Sequence, residues 1–286
     1  MNEKKAIALG NFDGIHLGHL AVIDEVKKFP QPCVLLFNEH SLKKLIGQAP
    51  PMLITDSERR EFFRKNNIEQ IYIDFNEISD MSPQRFFDEI LKDKFNIGTV
   101  VCGYNYRFGK NASGDVETLR VLCRENNCVC SVAAEVDFEG EPVSSTRIRQ
   151  LIESGNVEKA NKMLKKPFGF CEKVLHGDKR GRQWGFPTIN QALPQGLIMP
   201  AFGVYESLVT VDGKPFKGIT NIGRRPTVGT ETVLSETHIL NFSNEIYGEY
   251  ADVRFLKFIR EERKFDSFDE LINQIKADVS EVRYDL

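Results

Sequence analysis

The order of strand-like and helix-like segments is the feature that most constrains how this chain can fold. Up to about residue 135, apolar runs such as Cys33–Phe37 and Ile97–Cys102 are separated by segments whose apolar residues have helical spacing. Continuous apolar runs are typical of strands that are covered on both faces. Strands that alternate with helices predict a parallel sheet with helices on both faces, and such sheets bind ligands at the carboxyl ends of their strands.

The pattern changes near residue 165. Residues 145–165 have the spacing of two short helices, whereas residues 168–260 form short strand-like runs broken by glycine and proline. Asp212-Gly213 predicts a tight hairpin turn, and the apolar spacing from Phe268 to Ile275 predicts an amphipathic helix. We therefore predict two domains: residues 1–165 with an α/β fold, and residues 166–286 with a small antiparallel barrel or sandwich plus a helix.

Composition excludes several classes of protein. The chain has 286 residues, a net charge of −3 and six cysteines without the paired spacing of a metal site. Such a charge provides no general basic field, so no nucleic-acid partner is expected. Because no apolar run has transmembrane length and no signal peptide precedes the first strand, we expect a cytoplasmic protein without a membrane partner. There the cysteines would be reduced thiols that pack as small apolar residues.

The ten residues after the first predicted strand, Gly10–His19, combine glycines with two histidines three residues apart. Glycines let the backbone approach a ligand, and the free amides and dipole of a helix start favour an anion. His16 and His19 add further donors, so this stretch predicts a nucleotide-phosphate site. A Walker-type loop is excluded, because five residues instead of four separate Gly103 from Gly109.

Two further stretches can complete such a site. Val143–Arg149 places serine and threonine hydroxyls at a helix start and a guanidinium within its first turns, which is a second anion site. Gly103–Lys110 leaves a strand and offers aromatic rings for stacking, with Asn105 for hydrogen bonds to a ring edge. Taken alone, the first stretch is equally well an ordinary capped helix and the second a structural loop.

Gly10–His19 resembles the H-x-G-H nucleotidyltransferase superfamily, whose histidines contact ATP phosphates and stabilise charge on the leaving pyrophosphate. In this order and spacing, the three stretches resemble the FMN adenylyltransferase module of the prokaryotic bifunctional riboflavin kinase/FAD synthetase family. The resemblance implies a Rossmann-like domain in which His16, His19 and Arg149 are catalytic and Asn105 and Phe108 bind flavin. The ATP-binding residues that it implies are Gly10, Phe12, Asp13, Gly14, His16, Gly18, His19, Ser145, Thr146 and Arg149. One departure is Glu39-His40-Ser41, which stands where the family commonly has Pro-His-Pro.

In the second half, Thr188 and Asn190 are two residues apart, so their side chains share one face of an extended segment. A hydroxyl and an amide carbonyl can ligate a hard cation such as Mg²⁺ together with substrate phosphates, although a plain turn is the alternative. Glu236 lies in a later strand, Ser235–Leu240. A carboxylate that faces into a small barrel is costly unless it is paired or used as a base. Taken alone, an exposed glutamate on the barrel surface is the favoured interpretation.

This half resembles the riboflavin kinase module, a small closed β-barrel with a C-terminal helix. The resemblance rests on Gly181–Asn190, Asn221-Ile222-Gly223 with Arg225-Pro226-Thr227, and Glu236. It implies that Thr188 and Asn190 hold Mg²⁺ with ATP and that Glu236 is the base for the ribityl hydroxyl. The ATP-binding residues that it implies are Gly177, Gly181, Arg182, Thr188, Asn190 and Asn221. Two departures are Trp184 and Ile189, which are bulkier than the family's usual residues.

These resemblances imply an enzyme that makes flavin cofactors with ATP and Mg²⁺. One reaction phosphorylates riboflavin to FMN, and the other adenylylates FMN to FAD with release of pyrophosphate, so the partners are small molecules. Three alternatives remain at this point. The first is an FMN adenylyltransferase with a weak or inactive kinase-like domain, as the bulk of Trp184 and Ile189 suggests. The others are a tRNA-charging enzyme, for which no Lys-Met-Ser-Lys-Ser-like loop is found, and a flavin-binding regulator without catalysis. The sequence gives no oligomeric state.

Overall fold

A computed structural model describes residues 4–37, 50–177, 185–227 and 230–282. The chain divides into two compact units, Met1–Pro51 with Asp56–Ser145, and Met52–Thr55 with Thr146–Leu286. The two short helices predicted over residues 145–165 are present, at Ser145–Glu153 and Val157–Met163. Thr146–Met163 groups with the second unit by its contacts. The domain bounds 1–165 and 166–286 therefore stay a prediction.

The first unit contains a parallel sheet of five strands in the order β3-β2-β1-β4-β5. Its strands are β1 (Lys5–Leu9), β2 (Pro32–Phe37), β3 (Glu69–Ile73), β4 (Ile97–Gly103) and β5 (Val129–Ala133). A two-residue pair, β6 (Asp137–Phe138) and β7 (Glu141–Pro142), follows. The helical segments are α1 (Leu17–Val26), Asp56–Lys65, Phe75–Ile78, Pro83–Arg85 running on into the π-helical segment Phe86–Lys94, the 3₁₀ turn Lys110–Ala112, and Val116–Glu125.

The sheet is covered on both faces, as the continuous apolar runs predict. On one face Ile7 and Leu35 share a core with Phe87 and Leu119 of two covering helical segments. The alternate residues of the same strands, such as Ala8, are as fully buried on the other face, where α1 packs. The predicted α/β architecture of the first unit is confirmed.

The second unit contains an antiparallel sheet of six strands in the order β8-β13-β10-β11-β12-β9. Its strands are β8 (Gly169–Lys173), β9 (Thr188–Ala192), β10 (Gly203–Val211), β11 (Lys214–Thr227), β12 (Thr230–Ile239) and β13 (Tyr250–Glu261). The ring closes where the Leu175 N–H, just after β8, donates to the Asn190 carbonyl on β9 at 2.7 Å. Asp212 and Gly213 both have positive φ in the turn between β10 and β11, as their sequence predicts. The predicted barrel and the C-terminal helix (Phe268–Glu281) are confirmed.

The interior of the barrel is lined in part by hydroxyl groups that hydrogen-bond to one another. Thr220 Oγ1 lies 2.8 Å from Ser207 Oγ and 2.9 Å from Thr237 Oγ1, and all three residues are fully buried. Because side chains alternate along a strand, Glu236 faces the opposite side of β12 from Thr237. Of the two interpretations of Glu236, the structure therefore agrees with the exposed barrel face. Hydroxyls can satisfy each other in a closed interior, whereas a carboxylate there would lack a compensating charge.

The outer face that carries Glu236 is covered in part by the C-terminal helix. Val204, Ile219 and Leu240 form an apolar cluster with Val282, which lies directly after the helix. A largely buried ion pair holds the helix in place. Arg260 on β13 donates from Nη2 to Asp278 Oδ2 at 2.8 Å and from Nε to Asp278 Oδ1 at 3.0 Å.

All six cysteines are free thiols. Burial raises the pKa of the Cys33 and Cys102 thiols to about 12, so these side chains stay protonated at neutral pH. The expectation that the cysteines act as small apolar residues is confirmed for these two strand positions.

Removing the charge of Asp278 tests how far the second unit depends on its C-terminal helix. We expect Asp278→Asn to destabilise this unit by about 3 kcal/mol, because Arg260 would keep a largely buried charge without its partner. The melting temperature of the unit's unfolding transition measures the loss. Glu281→Gln is the matched control, since Glu281 is exposed at the end of the same helix and should change the melting temperature little. Equal effects of the two variants would contradict this account.

Two candidate active sites

The loop Gly10–His19 leaves the carboxyl end of β1, the central strand of the first sheet. Its backbone is unusual, because the non-glycine residues Phe12 and Ile15 have φ values of 51° and 46°, and Gly14 has a φ of 90°. Such left-handed conformations are costly for residues with large side chains and persist where the surroundings enforce them. Here Phe12 and Ile15 are almost completely buried, so packing of their side chains holds the loop in this shape.

The two histidines of the loop form one unit at the start of α1. The His19 backbone N–H donates to His16 Nδ1 at 3.2 Å, so His16 caps the helix. The imidazole rings are stacked, with 3.6 Å between their centroids and 17° between their planes. Burial, and then the nearby charges of His16 and Arg59, hold the pKa of His19 well below its usual value. His19 is therefore neutral at pH 7 in the free protein.

Arg59 is a residue of this site that the sequence did not reveal. It lies in the helix Asp56–Lys65 and donates from Nη1 to the Asn11 carbonyl at 3.1 Å, which ties that helix to the loop. From the sequence alone, Arg59 is expected to pair with Asp56 on the same helix, and it does form that ion pair. Its hydrogen bond to Asn11, 48 residues earlier in the sequence, is what connects Arg59 with the loop.

One residue of the second predicted stretch contacts the first. Ser145 Oγ donates to the Asp13 carbonyl at 3.0 Å, and both residues belong to the first unit. Asp13 itself is buried, and its backbone takes part in this contact. Thr146 and Arg149 follow Ser145 in the helix and belong to the second unit. Their contact with phosphates stays a prediction.

A cavity of about 430 Å³ opens at the carboxyl ends of the first unit's strands. Eight predicted site residues line it: Gly10, Phe12, His16, Gly18, His19, Asn105, Phe108 and Ser145. The predicted residues Asp13 and Gly14 belong to the same loop but lie outside the lining. Its volume is in the range of pockets for small molecules and cofactors.

Two aromatic residues that the sequence did not single out, Phe37 and Phe75, line the same cavity. Phe37 ends β2 and Phe75 follows β3, so their positions after two parallel strands were the available signal. Tyr106 of the predicted aromatic loop also lines the cavity, and its ring stacks on Phe108 with an angle of 13° between the planes. The lining thus combines polar groups of the loop and Ser145 with aromatic side chains that suit a planar ring.

The depressed pKa of His19 predicts a pH dependence of stability. An unfolded histidine titrates near 6.5 and folded His19 well below it, so between these values the unfolded chain binds more protons. Stability is then lost as the pH falls from about 6.5. We expect the melting temperature of the first unit to drop between pH 7.5 and 5.5 by more in the wild type than in His19→Gln, corresponding to about 1 kcal/mol. Parallel pH profiles of the two proteins would contradict a neutral His19.

The second candidate site lies on a row of residues across three strands of the barrel. Glu236 on β12 is directly opposite Asn190 on β9 and Asn221 on β11, and Thr188 is opposite His238. Directly opposite residues of antiparallel strands project to the same face. Thr188, Asn190 and Glu236 therefore share one face, as the spacing of the first two predicts.

A cavity of about 350 Å³ lies at one end of this row. Gly177, Thr188 and Asn190 line it together with residues of the segment Phe242–Tyr247, which the sequence did not single out. Glu236 and Asn221 lie outside this lining, next to Asn190 along the row. The predicted residues Gly181 and Arg182, like Trp184 and Glu39-His40-Ser41, fall outside the described parts of the chain.

Two contacts fix the shape of this site. His238 Nδ1 lies 2.8 Å from the Pro187 carbonyl, so β12 holds the residue before Thr188. A Cβ atom added at Gly177 would lie only 2.5 Å from Asn190 Nδ2. The Asn190 side chain therefore packs directly against Gly177, and a side chain added at Gly177 would have to displace the amide.

Gly177→Ala tests that close approach. The added methyl group would push the Asn190 amide out of place, so we expect an ATP-dependent reaction at the second site to slow at least tenfold. The reaction of the first unit should be unchanged. Gly213→Asn is the matched control, because no atom lies within 4 Å of the added Cβ and asparagine tolerates the positive φ of that turn. Full activity of Gly177→Ala at the second site would contradict the assignment of Asn190.

Comparison with known proteins extends over the whole chain. The family model described as FAD synthetase matches residues 1–147, and that described as riboflavin kinase matches residues 164–286. A protein of Listeria monocytogenes, named bifunctional riboflavin kinase/FMN adenylyltransferase, is 33% identical over 98% of this chain and 91% of its own length. One of Bacillus subtilis with the same name is 34% identical over 98% of this chain and 92% of its own length.

A solved structure shares the fold of the whole chain. A crystal structure described as a macrolide-efflux protein from Streptococcus pneumoniae superposes with a TM-score of 0.90 and 31% identity, covering 100% of this chain and 96% of its own. Among the residues described for the present chain, none of the helices has both the length and the apolar character needed to span a membrane.

Proposed function

Because this chain belongs to the family of bifunctional riboflavin kinase/FMN adenylyltransferases, we propose that its two cavities serve one reaction each. The family resemblance drawn from the sequence is confirmed, and relatives matched along nearly their whole length favour two activities over one. FMN is adenylylated at the cavity of the first unit, and riboflavin is phosphorylated beside the cavity of the second. One observation supports this division: each cavity is lined by predicted residues for only one of the two reactions.

In the first unit, the aromatic side chains of the cavity bind a planar ring, and its polar groups bind the triphosphate of ATP. An oxygen of the FMN phosphate attacks the α-phosphorus of ATP, and the bond from that phosphorus to the bridging oxygen breaks, releasing pyrophosphate. His16 and His19 donate hydrogen bonds to the phosphate oxygens, and Ser145 lines the same cavity. Thr146 and Arg149 add donors from the helix. No covalent intermediate with the protein is needed, since positioning and charge stabilisation lower the barrier.

The neutral state of His19 matters for this step. A neutral imidazole does not repel His16 or Arg59 in the free protein, so the stacked pair is compatible with an empty site. A triphosphate brings several negative charges beside the pair, and these favour the protonated form of imidazole. His19 is then poised to gain a proton as negative charge accumulates on the leaving pyrophosphate.

In the second unit, Glu236 accepts the proton of the riboflavin 5′-hydroxyl as that oxygen bonds to the γ-phosphorus of ATP. The bond from the γ-phosphorus to the bridging oxygen breaks, and ADP leaves. Asn190 lies directly opposite Glu236, so nucleotide held at Asn190 and Thr188 is one strand away from the base. Gly177, Gly181 and Arg182 complete the proposed nucleotide side.

The side chains on this face suit Mg²⁺. Thr188 supplies a hydroxyl, Asn190 an amide oxygen and Glu236 a carboxylate, and hard oxygen ligands of this kind are what Mg²⁺ prefers in proteins. Thr188 and Asn190 would hold the ion, which shields the negative charge of the ATP phosphates. We further propose a cytoplasmic location, in keeping with the free cysteines, and small molecules as the partners.

Glu236→Gln separates the two reactions. We expect it to lower FMN formation from riboflavin and ATP by at least a hundredfold, because glutamine cannot take the proton. FAD formation from added FMN and ATP should stay within twofold of the wild type. Both are measured by separating the flavins after incubation. Glu249→Gln, which changes an exposed glutamate outside both cavities, is the control.

Two outcomes would contradict the proposal. Loss of both reactions in Glu236→Gln would mean that the two sites are not divided as stated. A wild-type chain that makes FAD from FMN but no FMN from riboflavin would restrict the activity to adenylylation.

A further inference from the structure

Asn221 was assigned from the sequence to the nucleotide, yet its hydrogen bond points to a different ligand. Asn221 Nδ2 donates to Glu262 Oε1 at 3.1 Å. A carboxylate only accepts hydrogen bonds, so the amide nitrogen, and not the oxygen, must face Glu262. The other half of the amide, Oδ1, is directed away from Glu262. Asn221 therefore presents a hydrogen-bond acceptor to its surroundings.

The carboxylate of Glu262 has a shaped place on the barrel. It lies over Gly223, two residues after Asn221 on the same face of β11. A Cβ atom added at Gly223 would be only 1.9 Å from Glu262 Oε1. Gly223 thus leaves room for the carboxylate of Glu262, an exposed residue that follows the end of β13. The carboxylate contacts Gly223 and Asn221 together.

Asn221 lies beside the proposed base, on the side away from the nucleotide residues. The cross-strand row runs Val204, Asn221, Glu236, Asn190. Asn190 lines the cavity with Thr188, whereas Asn221 lies on the other side of Glu236, toward the apolar cluster that contains Val204. A group bonded to Oδ1 of Asn221 would thus lie across Glu236 from the nucleotide.

Two carboxylates lie beside Asn221, while the guanidinium of Arg260, which is opposite Val204 in the same row, is paired with Asp278. Glu236 and Glu262 are both carboxylates, and an amide oxygen between them adds a partial negative charge. These groups repel phosphate oxygens but accept hydrogen bonds from alcohols. The acceptor substrate of the proposed kinase reaction carries a chain of hydroxyl groups.

We propose that Asn221, oriented by Glu262, binds a ribityl hydroxyl of riboflavin and helps to select that substrate. This inference rests on the proposed kinase reaction. Oδ1 accepts a hydrogen bond from one hydroxyl of the chain, while Glu236 accepts the proton of the terminal hydroxyl. Glu262 is a positioning residue, because it acts through Asn221. The nucleotide then lies on the Asn190 side of Glu236, and the alcohol lies on the Asn221 side.

Steady-state kinetics of FMN formation by the full chain test the assignment, with FMN and FAD counted together as product. We expect Asn221→Leu to raise KM for riboflavin about three- to tenfold, the usual effect of one lost hydrogen bond, with KM for ATP within twofold. Glu262→Ala should act in the same direction. Glu262→Gln should restore most of the wild-type value, because its amide oxygen can still accept from Asn221 Nδ2. Glu261→Gln, an exposed neighbour, is the control.

Flavins that each lack one secondary ribityl hydroxyl identify the contact. The wild type should use one of these deoxyflavins less well than riboflavin, whereas Asn221→Leu should use that deoxyflavin and riboflavin equally. A rise in KM for ATP in Asn221→Leu, or equal losses on every deoxyflavin in both proteins, would overturn the assignment. A wild-type chain that forms no FMN would overturn the kinase reaction itself, which is a separate result.

Discussion

The register between neighbouring strands is the constraint on which both sites depend. In the first unit, parallel pairing brings the carboxyl ends of five strands to one edge, so loops that are far apart in sequence surround one cavity. In the second unit, antiparallel pairing sets Asn190 and Asn221 on either side of Glu236. A slip of one residue in β12 would turn Glu236 into the interior and expose the hydroxyls of Thr237 and its neighbours. The buried hydroxyl network therefore fixes the register that the proposed base requires.

The two sites use opposite electrostatic arrangements. The first contains a stacked imidazole pair, with Arg59 hydrogen-bonded to the loop. Because His19 is uncharged when the site is empty, the loop does not have to hold two adjacent positive charges. The second is built around carboxylates and amides, which suits removal of a proton from an alcohol. There the negative phosphates need a cation, and this is why a divalent metal is proposed for the kinase reaction.

Much of this arrangement could be predicted from the sequence, for identifiable reasons. The loop Gly10–His19 and the pair Thr188 and Asn190 are local patterns, so spacing alone indicates what they can bind. Spacing alone did not decide the direction of Glu236. Alternation shows which residues share a face, but not which face is inside. The usual rule that polar residues face outward does not decide between Glu236 and Thr237, since both are polar and the barrel interior accepts hydroxyls.

The two charged residues that the sequence missed, Arg59 and Glu262, have one property in common: each makes a hydrogen bond to a residue distant in sequence. Arg59 bonds to a loop 48 residues earlier, and Glu262 bonds to Asn221 across 41 residues. Each is a charged residue in a charged stretch, where an exposed side chain is the ordinary expectation. What distinguishes Glu262 is its close approach to Gly223 on another strand. A glycine in a strand often marks a place where another group approaches closely, so Gly223 is the feature of the sequence that accompanies this contact. Neither residue indicates the contact alone, because the two lie on different strands.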